Sequence, residues 1–222
     1  HMMTYEHMVY PKLVYISNST EFGTVYTREE LESLRVACDK LGLYLMMDGA
    51  RLGAALESGV DYTLNDIAKW CDVFYIGGTK NGALMGEAVV FSNKDLAQNF
   101  RFVMKQDGAM MAKGWLLGLQ FVGLFYDGAF FRVAKHENEM AQRIQAYAHN
   151  LGYPFLMKSS TNQIFLNLTL EQYDYLSKMV DFEIWNKQDD FLSVRLVTSW
   201  NTSEEDVKEL CKCLYIAKEL DK

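Results

Sequence analysis

The sequence contains little cysteine and almost no proline, with four cysteines and two prolines in 222 residues. The cysteines have no second pair and no histidine pair at ligand spacing, so they fit neither a dense disulfide framework nor a zinc site. We therefore expect reduced thiols, a cytoplasmic protein and no bound metal. The four residues are Cys38, Cys71, Cys211 and Cys213.

Long apolar runs and clusters of basic residues are also missing. No stretch reaches the roughly 18 continuous apolar residues that a membrane span requires, and the opening HMMTYEH has no apolar signal region. The net charge of −7 comes from scattered acids, and no lysine or arginine cluster could follow a phosphate backbone. We expect neither a membrane nor a nucleic acid as a partner.

Short β-rich runs alternate with helical patterns in the first half of the chain. The runs are nearly continuous apolar segments, the kind that helices bury on both faces of a parallel sheet. They end in clusters of glycine, aspartate or serine, which mark turns. This pattern predicts a parallel α/β sheet, built from LVYIS (13–17), LYLMM (43–47), DVFYIG (72–77) and EAVVFS (87–92).

Helical segments connect the first three runs. Thr27 and Glu30 form a capping box for a helix of about 27–41, which ends at Gly42. The segment TLNDIAKWC places apolar residues at helical spacing, so that one face covers the sheet. Two βαβ crossovers therefore precede Lys80.

The second half of the chain has a different pattern. Residues 109–150 predict one broken helix or two successive helices, with Asp127-Gly128 as the natural break. After this region short strands and helices indicate an α+β arrangement. We predict a large domain over 1–127 and a small C-terminal domain over 128–222.

Two polar residues follow buried strands, where open parallel sheets bind their ligands. Asp48 comes directly after LYLMM, and a carboxylate there needs a cationic partner or several hydrogen bonds. Lys80 follows the next strand in the glycine-rich stretch YIGGTKNGALMG, where small neighbours leave room for a planar ligand. The plainer interpretations are that Asp48 caps a turn and that Lys80 is a surface lysine.

The spacing of Asp48 and Lys80 favours a shared site. One crossover separates them, so both should lie at the same edge of neighbouring strands. A buried aspartate that supports a protonated ring nitrogen and a lysine that binds an aldehyde are the two groups that pyridoxal phosphate (PLP) needs. An amine at a desolvated strand end also has a lowered pKa, as a Schiff-base lysine requires.

Two arginines are candidates for binding the carboxylate of an amino-acid substrate. Arg51 lies three residues after Asp48, and Arg195 lies inside the apolar strand SVRLVTSW. A bidentate arginine is the usual partner of a carboxylate. The alternative for Arg195 is a salt-bridged arginine on an edge strand.

Several stretches together resemble the threonine aldolase and aromatic amino acid β-eliminating lyase family. They are VYISNSTEFGTVYT, LYLMMDGARLGAAL, DVFYIGGTKNGALMGEAVVF, DGAMMAKGWLLGLQF and SVRLVTSWNTSEEDV. The resemblance implies a partial PLP-transferase large domain of the aspartate aminotransferase-like α/β fold, with a parallel-rich sheet, plus a small α+β C-terminal domain. It also implies a homodimer or homotetramer.

The resemblance further implies a role for each candidate residue. Lys80 would hold PLP covalently, Asp48 would pair with its ring nitrogen, and Thr79 would contact its phosphate. Arg51 and Arg195 would hold the substrate carboxylate. The implied reaction cleaves a β-hydroxy amino acid, threonine or allo-threonine, into glycine and acetaldehyde.

The chain departs from the family in two places. The segment NSTE has no histidine, which many members carry there for proton transfer. Members also have further residues before the strand that matches LVYIS, including a glycine-rich phosphate-binding loop. The alternatives are an inert or incomplete fragment that acts only by association, and a PLP-dependent β-eliminating lyase or aminotransferase.

Overall fold

The computed structural model describes residues 7–220, so most of the opening HMMTYEH lies outside the described part. The first half alternates strands with helices, as the sequence predicts. Its elements are β1 (Leu13–Ser17), α1 (Arg28–Leu41), β2 (Tyr44–Asp48), α2 (Leu52–Leu56), α3 (Leu64–Trp70), β3 (Val73–Gly77), a 3-10 turn (Thr79–Asn81) and β4 (Glu87–Phe91). A second 3-10 turn (Lys94–Ala97) and α4 (Phe100–Gln106) follow.

The first sheet has the strand order β1-β2-β3-β4. Strands β1, β2 and β3 are parallel, which confirms the two predicted crossovers. Strand β4 runs antiparallel to β3, so the expectation of a wholly parallel sheet is wrong for the fourth strand. The reason is the short link between Gly77 and Glu87, because a parallel return needs a crossover of a dozen or more residues.

Helix α1 begins and ends as the sequence predicts. The Thr27 side chain accepts a hydrogen bond from the Glu30 amide, and the Glu30 carboxylate accepts one from the Thr27 amide at 2.8 Å. Gly42 ends the helix with φ of 64°, a conformation that glycine adopts without steric cost. These caps fix where β2 starts and therefore where Asp48 emerges from the sheet.

A second sheet occupies the C-terminal part, with the order β5-β6-β8-β7 and antiparallel pairing throughout. Strand β8 lies between β6 and β7, so the alternative that places Arg195 on an edge strand is wrong. The elements of this part are α5 (Trp115–Tyr126), α6 (Ala129–Asn150), β5 (Phe155–Met157), β6 (Gln163–Thr169), α7 (Leu170–Leu176), β7 (Glu183–Lys187), β8 (Phe191–Val197) and α8 (Glu204–Glu219).

The break between α5 and α6 falls at Asp127-Gly128, as predicted. Helix α6 then contributes to two apolar cores. Phe130 packs into the core of the first sheet, whereas Ile144 and Ala148 pack into the core of the second. The domain boundary at 127/128 stays a prediction.

Within residues 7–220, no single helix has the length and apolar composition needed to cross a membrane. Helices α5 and α6 together have that length and apolar composition, but the two helices are bent by 73° relative to each other.

Candidate active site

Glycines bring the ends of β2 and β3 into contact. The Gly77 amide donates a hydrogen bond to the Gly49 carbonyl at 2.8 Å. A Cβ atom at Gly77 would overlap the Ala50 carbonyl, and one at Gly49 would overlap the Tyr75 carbonyl. Only glycine permits this approach, which places the residues after Asp48 beside the turn that carries Lys80.

Asp48 is half-buried at the end of β2 and accepts several hydrogen bonds. The Tyr15 hydroxyl donates to its Oδ2 at 2.5 Å, and the Ala50 amide donates to its Oδ1 at 3.0 Å. Burial raises the pKa of Asp48, but hydrogen bonds from Tyr15, Tyr75 and Ala50 outweigh burial and hold this pKa below its ordinary value. Asp48 is therefore a carboxylate at neutral pH. The Ala50 bond also fits the turn-capping interpretation.

Lys80 lies in the 3-10 turn directly after β3 and is exposed in the described chain. The protein around its amine lowers the pKa of Lys80 by desolvation, and the positive charge of Arg51 lowers it further. The negative charges of Glu21, Asp48 and Glu87 act in the opposite direction. The predicted direction of the pKa shift is confirmed.

The turn around Lys80 is fixed on both sides. Asn81 is buried, and its side-chain amide donates to the Phe130 carbonyl at 2.7 Å. The Gly78 amide donates to the Glu87 carboxylate at 2.7 Å. Thr79 is exposed at the start of the same turn. The backbone on either side of Lys80 is therefore held while its side chain stays accessible.

The two arginines lie close enough to interact electrostatically. Arg51 is half-buried at the start of α2, and burial followed by the charge of Arg195 lowers its pKa. Arg195 donates to the Gln163 side chain at 3.0 Å and to Glu183, and its guanidinium lies 5.0 Å from the centroid of the Trp185 ring. The ion pair with Glu183 fits the salt-bridged alternative for Arg195, although β8 is not an edge strand. The binding of an anion by Arg51 and Arg195 stays a prediction.

The structure thus brings together Asp48, Lys80, Arg51 and Arg195, with Thr79 beside the lysine. Their roles in binding and catalysis stay predictions. The sequence reasoning missed Tyr15 and Tyr75, which face Asp48 from the two neighbouring strands. With the observed register of β1, β2 and β3, strand alternation puts both tyrosines on the face of the sheet that carries the Asp48 side chain, and the sequence alone does not give that register.

Two acids also escaped assignment. Glu21 lies in the loop after β1, much as Asp48 lies at the end of β2. Its charge acts on Tyr15, Lys80 and Arg51. The position of Glu21 after an apolar run could have marked it as a candidate site residue. Glu137 lies on α6 and acts on Arg51, and nothing in its local sequence marks it, because its partners are far away in the chain.

Comparison with known proteins identifies the family. Residues 2–171 match the profile of the beta-eliminating lyase family. The chain belongs to the beta-eliminating lyase family. This lyase-family chain is 34% identical over 214 residues to a low specificity L-threonine aldolase of Pseudomonas sp., and the match covers 92% of the chain and 59% of the relative.

Solved structures agree with this membership. A threonine aldolase of Leishmania major matches with a TM-score of 0.93 and 44% identity, over 100% of this chain and 65% of that one. Sphingomonas wittichii serine palmitoyltransferase matches with a TM-score of 0.69 and 14% identity, over 95% of this chain and 55% of that one, which shows the fold alone. The predicted fold class is confirmed. A further neighbour of the fold, SPT, was solved with a PLP internal aldimine and matches at 12% identity with a TM-score of 0.65, over 95% of this chain and 55% of that one. The chain spans 59% to 65% of the length of the two threonine aldolases.

Proposed function

We propose that the chain forms the PLP- and substrate-binding part of a carbon–carbon lyase of the threonine aldolase type. The reaction would cleave threonine or allo-threonine to glycine and acetaldehyde. One observation carries the proposal: an ionised Asp48 and a Lys80 with a lowered pKa lie at one sheet edge, with the neighbouring guanidiniums of Arg51 and Arg195 beside them. The likeness to the Pseudomonas and Leishmania threonine aldolases supports it.

The residues present fit PLP by the chemistry of their donors and by the exposure of Thr79 and Lys80. Asp48 is held as a carboxylate, the form that pairs with a protonated ring nitrogen. Lys80 has an accessible amine whose lowered pKa favours the neutral form that attacks an aldehyde. Thr79 offers a hydroxyl to the phosphate. When bound, PLP supplies a sink for the electrons of the cleaved Cα–Cβ bond.

The arginines supply the binding of the substrate. A guanidinium presents parallel N–H donors that match a carboxylate. The carboxylate of a bound amino acid would add a negative charge beside both guanidiniums and so reduce their mutual repulsion. Arg51 and Arg195 therefore select α-amino acids and fix the orientation of the bonds around Cα.

Spectroscopy tests the cofactor assignment. We expect the chain mixed with PLP to develop an absorbance band above about 400 nm, characteristic of a lysine–PLP adduct. Lys80→Ala should lose the band, whereas Lys94→Ala, at another exposed turn lysine, should keep it. A band that survives Lys80→Ala would contradict the assignment.

Product analysis tests the reaction separately. Glycine and acetaldehyde from threonine in equal amounts are the expected products. A keto acid with ammonia would instead indicate β-elimination, and a keto acid without ammonia would indicate transamination. An inert fragment would release none of these.

The cytoplasmic location stays a prediction.

The chain should also associate into a homodimer or homotetramer. Helix α5 exposes apolar side chains, with Trp115 64% and Leu119 55% accessible. Leu116, Val122 and Tyr126 of the same helix are also exposed. Monomeric proteins rarely expose a contiguous apolar surface of this kind. Light scattering after size-exclusion chromatography measures the oligomeric state directly.

A further inference from the structure

Glu137 is a buried acid that the proposed chemistry does not use. It lies on α6 with 2% of its surface exposed. Its Oε2 accepts a hydrogen bond from the Asn162 side-chain amide at 3.1 Å, and the Trp200 backbone amide acts on the same carboxyl group. Its Oε1 is buried and makes no close hydrogen bond among the described residues. A buried carboxylate oxygen without a donor costs free energy, so such an atom calls for an explanation.

Arg51 has a buried donor without an acceptor. The donor is its Nε–H, for which residues 7–220 offer no hydrogen-bond acceptor. The opposite charges of Glu137 and Arg51 act on each other. Their helices are also in contact, because the Asn138 side-chain amide donates to the Ala54 carbonyl of α2 at 2.8 Å. A lone donor and a lone acceptor therefore lie in the same packed layer.

The neighbours of Glu137 connect it to the second arginine. Asn162 also donates to the Thr198 carbonyl at 2.8 Å, which fixes its amide nitrogen toward Glu137. Gln163, the next residue along the chain, accepts the hydrogen bond from Arg195. Since Asn162 and Arg51 both present donors, the carboxyl group of Glu137 is placed as an acceptor between them.

We infer that Glu137 is a positioning residue that holds Arg51 through one water between its carboxyl group and the Arg51 Nε–H, and so sets the separation of Arg51 from Arg195. The consequence for the substrate carboxylate rests on the proposed function. The water-mediated contact between Glu137 and Arg51 does not, because it would be a property of the chain alone.

Nuclear magnetic resonance of arginine side chains tests the contact without cofactor or substrate. The Nε–H signal of Arg51 is assigned by its loss in Arg51→Lys. In Glu137→Gln, which turns an acceptor into a partial donor, we expect that signal to shift and its exchange with water to accelerate at least ~10-fold, as for a lost charge-assisted hydrogen bond. Gln145→Leu is the control, because Gln145 is also buried on α6 but donates to the Ser159 carbonyl.

Ligand titration tests the consequence. Glycine has a carboxylate and ethylamine lacks one, and both amines perturb the absorbance of lysine-bound PLP. At pH ~9, where the Glu137 carboxyl is ionised, Glu137→Gln and Glu137→Leu should weaken glycine binding ~10-fold or more and leave ethylamine binding within about twofold. Gln145→Leu should change neither.

The outcomes separate the two claims. An Arg51 signal that is unchanged in both Glu137 variants, or one that Gln145→Leu moves equally, overturns the inference. Equal weakening of glycine and ethylamine also overturns it, since that result indicates general damage. An altered Arg51 signal in a chain that never binds PLP supports the positioning role while refuting the proposed function.

Discussion

Asp48 shows how donors from two strands and one loop keep a single half-buried side chain charged. Tyr15 on β1, Tyr75 on β3 and the Ala50 amide all donate to a carboxylate whose pKa burial alone would raise. The same contacts raise the pKa of Tyr15, with the hydrogen bond to Asp48 as the largest cause. The negative charge therefore exists before any ligand arrives, so a cationic ring nitrogen meets a preformed partner.

Replacement of this charge gives the first prediction. Asp48→Asn keeps the shape of the side chain but removes its charge, so PLP affinity should fall ~10- to 100-fold, the worth of a charge-assisted hydrogen bond. Absorbance titration with PLP measures the dissociation constant. Asp95→Asn, at an exposed turn, is the matched control. Equal affinities for the Asp48 and Asp95 variants would show that Asp48 does not contact the cofactor.

Glu137 gives a second prediction for a single residue, which concerns the pH dependence of the free energy of unfolding. Burial raises its pKa from 4.5 to about 8. Between these values the folded chain binds a proton that the unfolded chain releases, so the free energy of unfolding should decrease as pH rises through this window. Denaturant unfolding from pH ~5 to ~9 measures the slope, and Glu137→Gln should flatten it. A slope unaffected by the substitution would mean that Glu137 does not titrate in this range.

At the scale of elements, the site depends on how the loop after β2 rests on the end of β3. The Gly77–Gly49 hydrogen bond and the absence of Cβ atoms at both positions allow this contact. Helix α2 then starts directly after this loop and is held against α6 by Asn138, so the backbone at Arg51 is held close to Asp48. Backbone packing, rather than side-chain reach, brings the charged groups together.

Gly77→Ala tests this view of the loop. Its Cβ would meet the Ala50 backbone, so the loop must shift, and we expect a loss of about 2 kcal/mol or more in unfolding free energy together with loss of PLP binding. Gly118→Ala in α5 is the control, since nothing lies within 4 Å of its Cβ. That change should be neutral or stabilise by about 0.5–1 kcal/mol. Retained stability and PLP binding in Gly77→Ala would contradict the account.

At the scale of the whole molecule, the chain has two sheets with separate cores and an exposed apolar helix. Leu119 and Val122 of α5 are both more than half accessible. If association covers this helix, Leu119→Glu should shift the oligomer toward monomer, because a buried charge without a partner opposes assembly. Lys113→Glu, just before the helix, controls for the added charge. An unchanged mass for Leu119→Glu would exclude α5 from the interface.

The sequence allowed the prediction of features with local causes. The caps at Thr27 and Gly42 determine a helix, and the apolar runs before Asp48 and Lys80 place both at one sheet edge. Features with distant causes escaped prediction. The direction of β4 follows from a short connection that apolar runs do not encode, and the coupling of Glu137 to Arg51 requires the packing of α2 on α6. Local patterns predicted the candidate site residues, and tertiary contacts hold those residues in place.

Chemical trapping of PLP tests the central claim most directly. The chain is mixed with PLP, reduced with borohydride to fix any lysine adduct, digested and analysed by mass spectrometry. The account predicts that the pyridoxyl group is found on Lys80, and that Asp48→Asn lowers its yield while Asp95→Asn does not. A label spread over surface lysines, or confined to a lysine other than Lys80, would contradict it.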